Sequence, residues 1–291
     1  MILTLEKTLF CFGFLLTKSY LCKQKNLNME KVKMLGALVG DIVGSVYEFD
    51  NTKSMDFELF TPYSKFTDDS VMTLAVAKWL MEDEGHTTHE LIRCMQELGR
   101  EYPYAGYGGS FCRWLVVNEP KPYNSWGNGA GMRVSPVGLY AKTLDEALYL
   151  AEVTAAVSHN HPEGVKGAQA IAASVFLCKE GKTKADIKEY VERTFGYDLD
   201  RRIADIRPDY SFDVSCQGSV PEAIIAFLEG NSLEEVIRLA ISLGGDSDTI
   251  GCMAGAIAAC MYPIPEEMAE KCNSILTDDL REIKDRFCEL I

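Results

Sequence analysis

Two short segments of the sequence concentrate carboxylates and hydroxyls at a density that can bind a hard divalent cation. One is Thr-Asp-Asp-Ser at residues 67–70, and the other is Gly-Gly-Asp-Ser-Asp-Thr at residues 244–249. Each comes directly before an apolar run, so each is expected to form the first turn of a helix. Ser, Thr and Asp also cap helix N-termini, and for residues 67–70 capping alone explains the segment equally well.

The second segment carries more negative charge than one helix cap requires. Asp246 and Asp248 precede a run of small residues that lets other helices approach closely, so both carboxylates are expected to be buried. No Lys or Arg between Arg238 and Lys271 is available to neutralise them. Oxygen ligands without His or Cys favour Mg²⁺, Mn²⁺ or Ca²⁺. The two acidic segments are far apart in the chain and can meet around one or two such ions.

Other motifs with similar residues fail on spacing. An EF-hand loop starting at Asp246 would need oxygen ligands where Ile250 and Ile257 stand. An Asp-x-Asp-x-Thr phosphatase motif would also need Thr in place of Ile250. The pair His159 and His161 has the spacing of an amidohydrolase metal site, but no histidine follows it. These three classes of site are therefore excluded.

A third acidic segment, Gly36–Glu48, is small and apolar with two embedded acids. Helical spacing places Asp41 and Ser45 on one face, with Glu48 one turn further on. A helix with two solvent-facing acids is the alternative interpretation.

Residues 125–138 and the histidine pair suggest a ligand-binding loop. Gly127, Gly129 and Gly131 make a regular element improbable and would expose backbone N–H groups that can hold a phosphate or ribose oxygen. An ordinary loop is the alternative. His159 can hydrogen-bond to or stack on a ligand, or it can be a structural cap.

The elements that must position these residues are predicted to be helices. Alternating strand patterns are nearly absent, and a Thr143–Glu146 capping box and Pro221, at a first helical position, mark two helix starts. The predicted helices lie at residues 70–81, 143–157, 164–179, 184–194, 221–228, 232–242 and 266–287. We therefore predict one compact all-α domain over residues 30–291. Residues 1–28 are expected to be a dispensable tail, with a signal or anchor segment or an ordered helix as alternatives.

The composition and net charge limit the classes of binding partner that the protein can have. The net charge of −14 opposes non-specific binding to nucleic acid or to an anionic membrane. The apolar stretch near the N-terminus is too short to span a bilayer. Ten cysteines without a Cys-x-x-Cys pair indicate reduced thiols and a cytoplasmic location. We expect a monomer.

Five ordered segments resemble the ADP-ribosylglycohydrolase family, which includes the dinitrogenase reductase-activating glycohydrolase. They are GDIVGSVYE, FTDDSVMT, WGNGAGMR, SHNHPEGVKGAQA and LGGDSDTIGCMAGA, and they lie within residues 36–256. The resemblance implies an all-α bundle of orthogonally packed helices, with a two-metal centre of Mg²⁺ or Mn²⁺ at the base of a cleft.

The resemblance also implies a role for individual residues. The metal ligands fall on Thr67, Asp68, Asp69, Asp246, Asp248 and Thr249. The catalytic candidates are Glu48, Asp69 and Asp248, and the ligand-binding candidates are Gly127, Asn128, Gly129, Met132 and His159.

The implied function is metal-dependent hydrolysis of an N- or O-glycosidic ADP-ribosyl linkage. The substrate would be an ADP-ribosylated protein or a small ADP-ribosyl compound. Two alternatives stay open at this point: a hydrolase of another ribosyl compound, and a non-catalytic ADP-ribose-binding protein.

Overall fold

The computed structural model describes residues 33–291, so the predicted tail at residues 1–28 lies outside the described residues. The helices are α1 (Leu35–Gly44), α2 (Asp68–Glu82), α3 (Thr88–Glu101), α4 (Gly109–Val116), α5 (Gly129–Met132), α6 (Ser135–Tyr140), α7 (Leu144–Ala156), α8 (Pro162–Lys179), α9 (Lys184–Phe195), α10 (Ile203–Ile206), α11 (Cys216–Glu229), α12 (Leu233–Ile241), α13 (Ser247–Ala258), α14 (Glu266–Ile275) and α15 (Asp278–Leu290). Between residues 33 and 291 the only β-structure is an isolated bridge between Gly127 and Ser215. The all-α prediction is confirmed.

Helices α1 and α13 form the centre of the molecule. Every residue of both helices is buried. Their backbones touch through glycines, since a Cβ added at Gly40 would lie 2.0 Å from the carbonyl oxygen of Gly251. Gly36 meets Gly255 in the same way one turn away. The small residues that the sequence places after Asp248 are therefore used for close helix packing.

The remaining helices surround this pair. Helices α11 and α12 pack against α13, and α2 packs against α3 and α15. The Ala-rich helix α8 packs against α6, α7 and α11. The ends of α1, α2 and α13 meet at one place, which becomes the candidate site.

Several helix starts follow local capping signals. The side chains of Thr67, Thr87, Thr143, Thr183, Ser215 and Ser232 accept a hydrogen bond from a backbone N–H in the first turn of α2, α3, α7, α9, α11 and α12. The predicted box at Thr143 is only half formed. Its hydroxyl accepts from the N–H of Glu146, but the Glu146 carboxylate accepts from the N–H of Lys142 instead.

Three predicted helix boundaries are wrong. Pro221 lies inside α11, because Ser215 caps the helix and starts it upstream of the proline. The predicted helix over 266–287 is two helices, because Leu276 and Thr277 are extended and Leu276 is buried between them. Helix α1 ends at Gly44, so Glu48 lies in the turn that follows it and not on the helix.

The glycine-rich segment is more regular than its composition indicates. It contains the short helices α5 and α6, with Pro136 in the first turn of α6. The sequence prediction also omits α3 and α4. In α3 the buried residues Leu91, Met95 and Leu98 have helical spacing, so the signal for this helix is present in the sequence.

Candidate metal centre and ligand cleft

The contact between α1 and α13 brings acidic residues together. A Cβ added at Gly44 would lie 2.4 Å from the Cα of Asp248, so the end of α1 touches the start of α13. One carboxylate oxygen each of Asp41, Asp69 and Asp248 lies within 4.8 Å of the others. Glu48, Asp246 and Asp248 form a second group by the same measure. The two groups share Asp248 and form one acidic centre.

Asp41 fixes the start of α2 against α1. Its carboxylate accepts hydrogen bonds from the Thr67 N–H (3.0 Å), the Thr67 hydroxyl (2.7 Å), the Ser70 N–H (3.1 Å) and the Ser70 hydroxyl. The side chain is fully buried, which contradicts the interpretation of Asp41 as solvent-facing. Asp41 is absent from the site residues predicted from sequence, although an acid inside an apolar helix was a signal that could have found it.

The start of α13 is shaped by two glycines and one asparagine. Gly244 and Gly245 have φ values of +72° and +75°, a region that favours glycine. The Asn51 side chain accepts from the Gly245 N–H at 2.8 Å and donates to the Gly245 carbonyl at 3.0 Å. The same amide donates to the Glu48 carbonyl at 2.8 Å. Asn51 therefore ties the turn that carries Glu48 to the segment that carries Asp246.

One buried oxygen of the acidic centre has no hydrogen-bond partner and is available to a ligand. The Thr249 hydroxyl donates to Oδ2 of Asp69 at 3.2 Å, whereas Oδ1 of Asp69 is buried without a hydrogen-bond partner. One oxygen of Asp246 accepts from the Asn128 side chain at 2.6 Å. A buried carboxylate oxygen without a donor is costly unless a ligand compensates it.

The residues predicted to bind metal differ in their position relative to the acidic centre. Asp69 and Asp248 lie in the carboxylate groups just described, and Thr249 contacts Asp69. The Thr67 hydroxyl is held by Asp41. Asp68 lies beside Gly106, lines the cleft and is outside both groups.

Burial and mutual repulsion raise the pKa values of these acids. Burial is the main cause at each of them. The pKa of Glu48 rises to about 7 and that of Asp68 to about 8. The pKa values of Asp41, Asp69, Asp246 and Asp248 also rise. Within residues 33–291 no Lys or Arg forms an ion pair with any of the six acids.

This chemistry fits a divalent cation. The donor atoms are carboxylate and hydroxyl oxygens, which suit Mg²⁺ or Mn²⁺ better than zinc. A divalent cation would compensate the negative charge of the centre and give the unpaired Asp69 oxygen a partner.

The acidic centre opens into a cleft of 660 Å³, a volume suited to a small-molecule ligand. Glu48, Asp68, Asp69, Asp246, Asp248 and Thr249 line it together with Phe49, Phe111, Tyr123, Trp126, Met132, His159, Phe212 and Val214. All five residues predicted to bind ligand line this cleft. The aromatic residues were not predicted.

The glycine-rich segment forms one wall of the cleft. The Asn128 N–H donates to the Val214 carbonyl at 2.8 Å, and its side chain reaches Asp246, so this wall is tied to the acidic centre. Two of the expected N–H donors are used inside the segment. The Gly127 N–H donates to Ser125 Oγ, and the Gly131 N–H donates to the Asn128 carbonyl.

His159 lies against this wall. Burial and the positive charge of Arg133 lower its pKa well below the usual range, so the imidazole is neutral. The Phe111 and Tyr123 rings lie 6.3 and 5.7 Å from it, centroid to centroid.

Comparison with known proteins identifies the family. The ADP-ribosylglycohydrolase family model matches residues 32–291. The chain belongs to the ADP-ribosylglycohydrolase family. It is therefore a hydrolase of the ADP-ribosylglycohydrolase type, as the sequence motifs indicate.

The similarity to known proteins covers most of the length of this ADP-ribosylglycohydrolase. It is 26% identical to ADP-ribosylhydrolase ARH3 of Mus musculus, covering 85% of this chain and 88% of the mouse protein. It is 22% identical to ADP-ribosylarginine hydrolase Tri1 of Pseudomonas putida, covering 86% and 76%. A solved ADP-ribosylglycohydrolase-related protein complex matches with a TM-score of 0.71 and 23% identity over 92% of this chain and 99% of that one. This last likeness shows the fold.

Within residues 33–291, no helix of this family member is both long enough and apolar enough to cross a membrane.

Proposed function

We propose that the protein releases ADP-ribose from an N- or O-glycosidic linkage with the help of two divalent cations, Mg²⁺ or Mn²⁺. The observation that supports this most is the acidic centre itself. It consists of two clusters of three carboxylates each, which share Asp248 and lie at one end of a ligand-sized cleft. The family membership supports the ADP-ribosyl chemistry.

Asp69, Asp246, Asp248 and Thr249 would hold the cations directly, with Thr67 and Asp68 completing the set. Bound there, the cations would supply Lewis-acid chemistry that orients ribose hydroxyls and polarises a water molecule. Asp41 would act indirectly, because it fixes the start of α2, which carries Asp68 and Asp69.

Hydrolysis of the ribosyl bond requires that a proton be added to the leaving atom and that another be removed from the attacking water. The C1″–N or C1″–O bond breaks through an oxocarbenium-like state, and the water oxygen forms the new bond to C1″. Glu48 lines the cleft and has a pKa of about 7, so it can take the water proton or protonate the leaving atom near neutral pH. Asp69 and Asp248 are the alternative proton carriers.

The substrate would be an ADP-ribosylated protein side chain or a small ADP-ribosyl compound. The name of the P. putida relative specifies arginine, whereas the ARH3 name specifies no acceptor. The cytoplasm remains our proposed location, and each cysteine between residues 33 and 291 is a free thiol.

Asp248→Asn tests the metal centre. Asp248 belongs to both carboxylate groups, so its loss should abolish turnover and weaken Mn²⁺ binding while circular dichroism stays unchanged. Asp83→Asn is the matched control, because Asp83 is a half-buried acid just beyond the C-terminal end of α2, outside both groups of carboxylates, and its substitution should leave both properties intact. Wild-type turnover by the Asp248→Asn protein would refute the assignment. A folded wild-type protein that binds ADP-ribose without cleaving any linkage would favour the binding-protein alternative.

A further inference from the structure

Arg133 is a buried cation that the proposed chemistry does not use. Its side chain is fully buried, next to the cleft wall. Burial lowers its pKa to about 10, so it stays protonated near neutral pH. Among residues 33–291 no carboxylate pairs with it, and its Nε has no hydrogen-bond partner. The guanidinium lies over the Phe111 ring, 5.7 Å from its centroid, and this cation–π contact offsets only part of the cost of burying a charge without a carboxylate partner.

The hydrogen bonds of Arg133 lead to the cleft. Nη2 donates to the Thr154 carbonyl at 2.7 Å and to Ser158 Oγ at 2.8 Å, which uses both of its hydrogens. Ser158 Oγ lies 2.8 Å from Nδ1 of His159. Ser158 is fully buried and has no other side-chain hydrogen bond among the described residues.

The number of donors around Ser158 Oγ determines which atom donates in the hydrogen bond between Ser158 Oγ and Nδ1 of His159. A guanidinium only donates, so Ser158 Oγ must accept from Arg133. If Nδ1 of His159 also donated to Ser158, the hydrogen of the buried hydroxyl would have no acceptor, which is unfavourable for a buried polar group. The favourable arrangement is therefore donation from the Ser158 hydroxyl to Nδ1. The proton of the neutral imidazole must then reside on Nε2.

Nε2 of His159 lies on the cleft side of the ring. A Cβ added at Gly129 would lie 3.1 Å from it, and one added at Gly127 would lie 3.5 Å away. The ring therefore occupies the space above the glycine wall, where a ligand oxygen would approach.

We propose that Arg133 and Ser158 are positioning residues that hold His159 as its Nε2–H tautomer, so that the imidazole donates a hydrogen bond to an anionic oxygen of the ligand. The ligand oxygen would belong to the diphosphate of ADP-ribose, and this part rests on the proposed function. The unpaired charge of Arg133 adds attraction for the same anion at a site where a carboxylate partner would cancel it.

Nitrogen-15 NMR of the histidine rings in the full-length, ligand-free protein tests the tautomer directly. The His159 signals, identified by their loss in His159→Gln, should show a protonated Nε2 and an unprotonated Nδ1. In Ser158→Ala the ring loses its fixed donor, and both tautomers should appear. Ser174→Ala is the matched control, because Ser174 is also buried and donates only to the Ala170 carbonyl within α8. It should leave the His159 signals unchanged.

Calorimetric titration with ADP-ribose tests the second half of the proposal. Affinity should fall about twofold in Ser158→Ala when the two tautomers are equally populated, because the apparent affinity scales with the fraction that keeps the competent tautomer. KM should rise more than kcat falls, because the lost contact is made before the chemical step. Ser174→Ala should match the wild type.

Each outcome is informative. A protonated Nδ1 in the wild type, or an unchanged tautomer in Ser158→Ala, overturns the proposal. A changed tautomer with unchanged ADP-ribose affinity overturns the contact with the ligand. A wild-type protein that shows the expected tautomer but binds no ADP-ribose contradicts the proposed function and leaves the positioning of His159 standing. Arg133→Met should also mix the tautomers, and Ser158→Ala decides the question if that variant does not fold.

Discussion

Several residues of the candidate site could be recognised from their type and spacing in the sequence. Asp246 and Asp248 could be recognised because two carboxylates in one helix's first turn exceed what capping needs, whereas capping alone explained Asp69 equally well. The signal for Asp41 was weaker, since a single acid in an apolar helix is also compatible with exposure. Its role depends on Thr67 and Ser70, which reach it only after folding.

At this scale we predict that Asp41→Asn destabilises the Mg²⁺-bound protein by about 1–3 kcal/mol. An NH2 group in place of Oδ2 would face the N–H groups of both Thr67 and Ser70, and in place of Oδ1 it would face the donating hydroxyl of Thr67. Denaturant unfolding with saturating Mg²⁺ measures the change. Asp83→Asn is the control: Asp83 accepts from the N–H groups of Gly85 and Thr87 and from the Thr87 hydroxyl, but its partial exposure lets water replace those bonds. Equal stability losses in the two variants would contradict the role of Asp41.

At the scale of helices, periodicity and caps predict α2, α7, α8, α9 and α12 well. They fail where distant contacts determine the boundary. The turn after α1 is held by Asn51 and its bonds to Gly245, some 194 positions away, and no local pattern reveals that contact. The break between α14 and α15 likewise depends on the burial of Leu276.

The close contact between α1 and α13 yields a prediction of its own. Gly40→Ala would place a Cβ 2.0 Å from a backbone oxygen of Gly251, so the two helices must separate. We expect a loss of about 1–3 kcal/mol in the free energy of unfolding, together with weaker Mn²⁺ binding because Asp41 and Asp248 move apart. Thermal unfolding and calorimetry measure the two effects.

Gly109→Ala is the control for this substitution. It lies in the first turn of α4, where an added Cβ meets no atom within 4 Å. A stable Gly40→Ala protein with unchanged metal binding would show that the helices need not touch there.

For the whole molecule, the acidic centre makes the stability of the metal-free protein depend on pH. Raised pKa values mean that the folded state binds more protons than the unfolded state above the ordinary carboxyl values of 3.8 and 4.5. The free energy of unfolding should therefore fall as pH rises through the folded values of about 7 for Glu48 and about 8 for Asp68.

Thermal unfolding in EDTA from about pH 5 to about pH 8 checks this prediction. The melting temperature should decrease across the range, and Mg²⁺ should reverse most of the decrease by compensating the ionised acids. A melting temperature in EDTA that stays constant or rises with pH would contradict the electrostatic account of the centre.

We propose above that this acidic centre drives metal-dependent release of ADP-ribose. The most direct measurement is hydrolysis of ADP-ribosyl-arginine and ADP-ribosyl-serine peptides, each with Mg²⁺, with Mn²⁺ and with EDTA. We predict release of ADP-ribose from at least one peptide with either metal, and its loss in EDTA. Release that is equally fast in EDTA would contradict the metal centre, and no release from either peptide would contradict the proposed linkage chemistry.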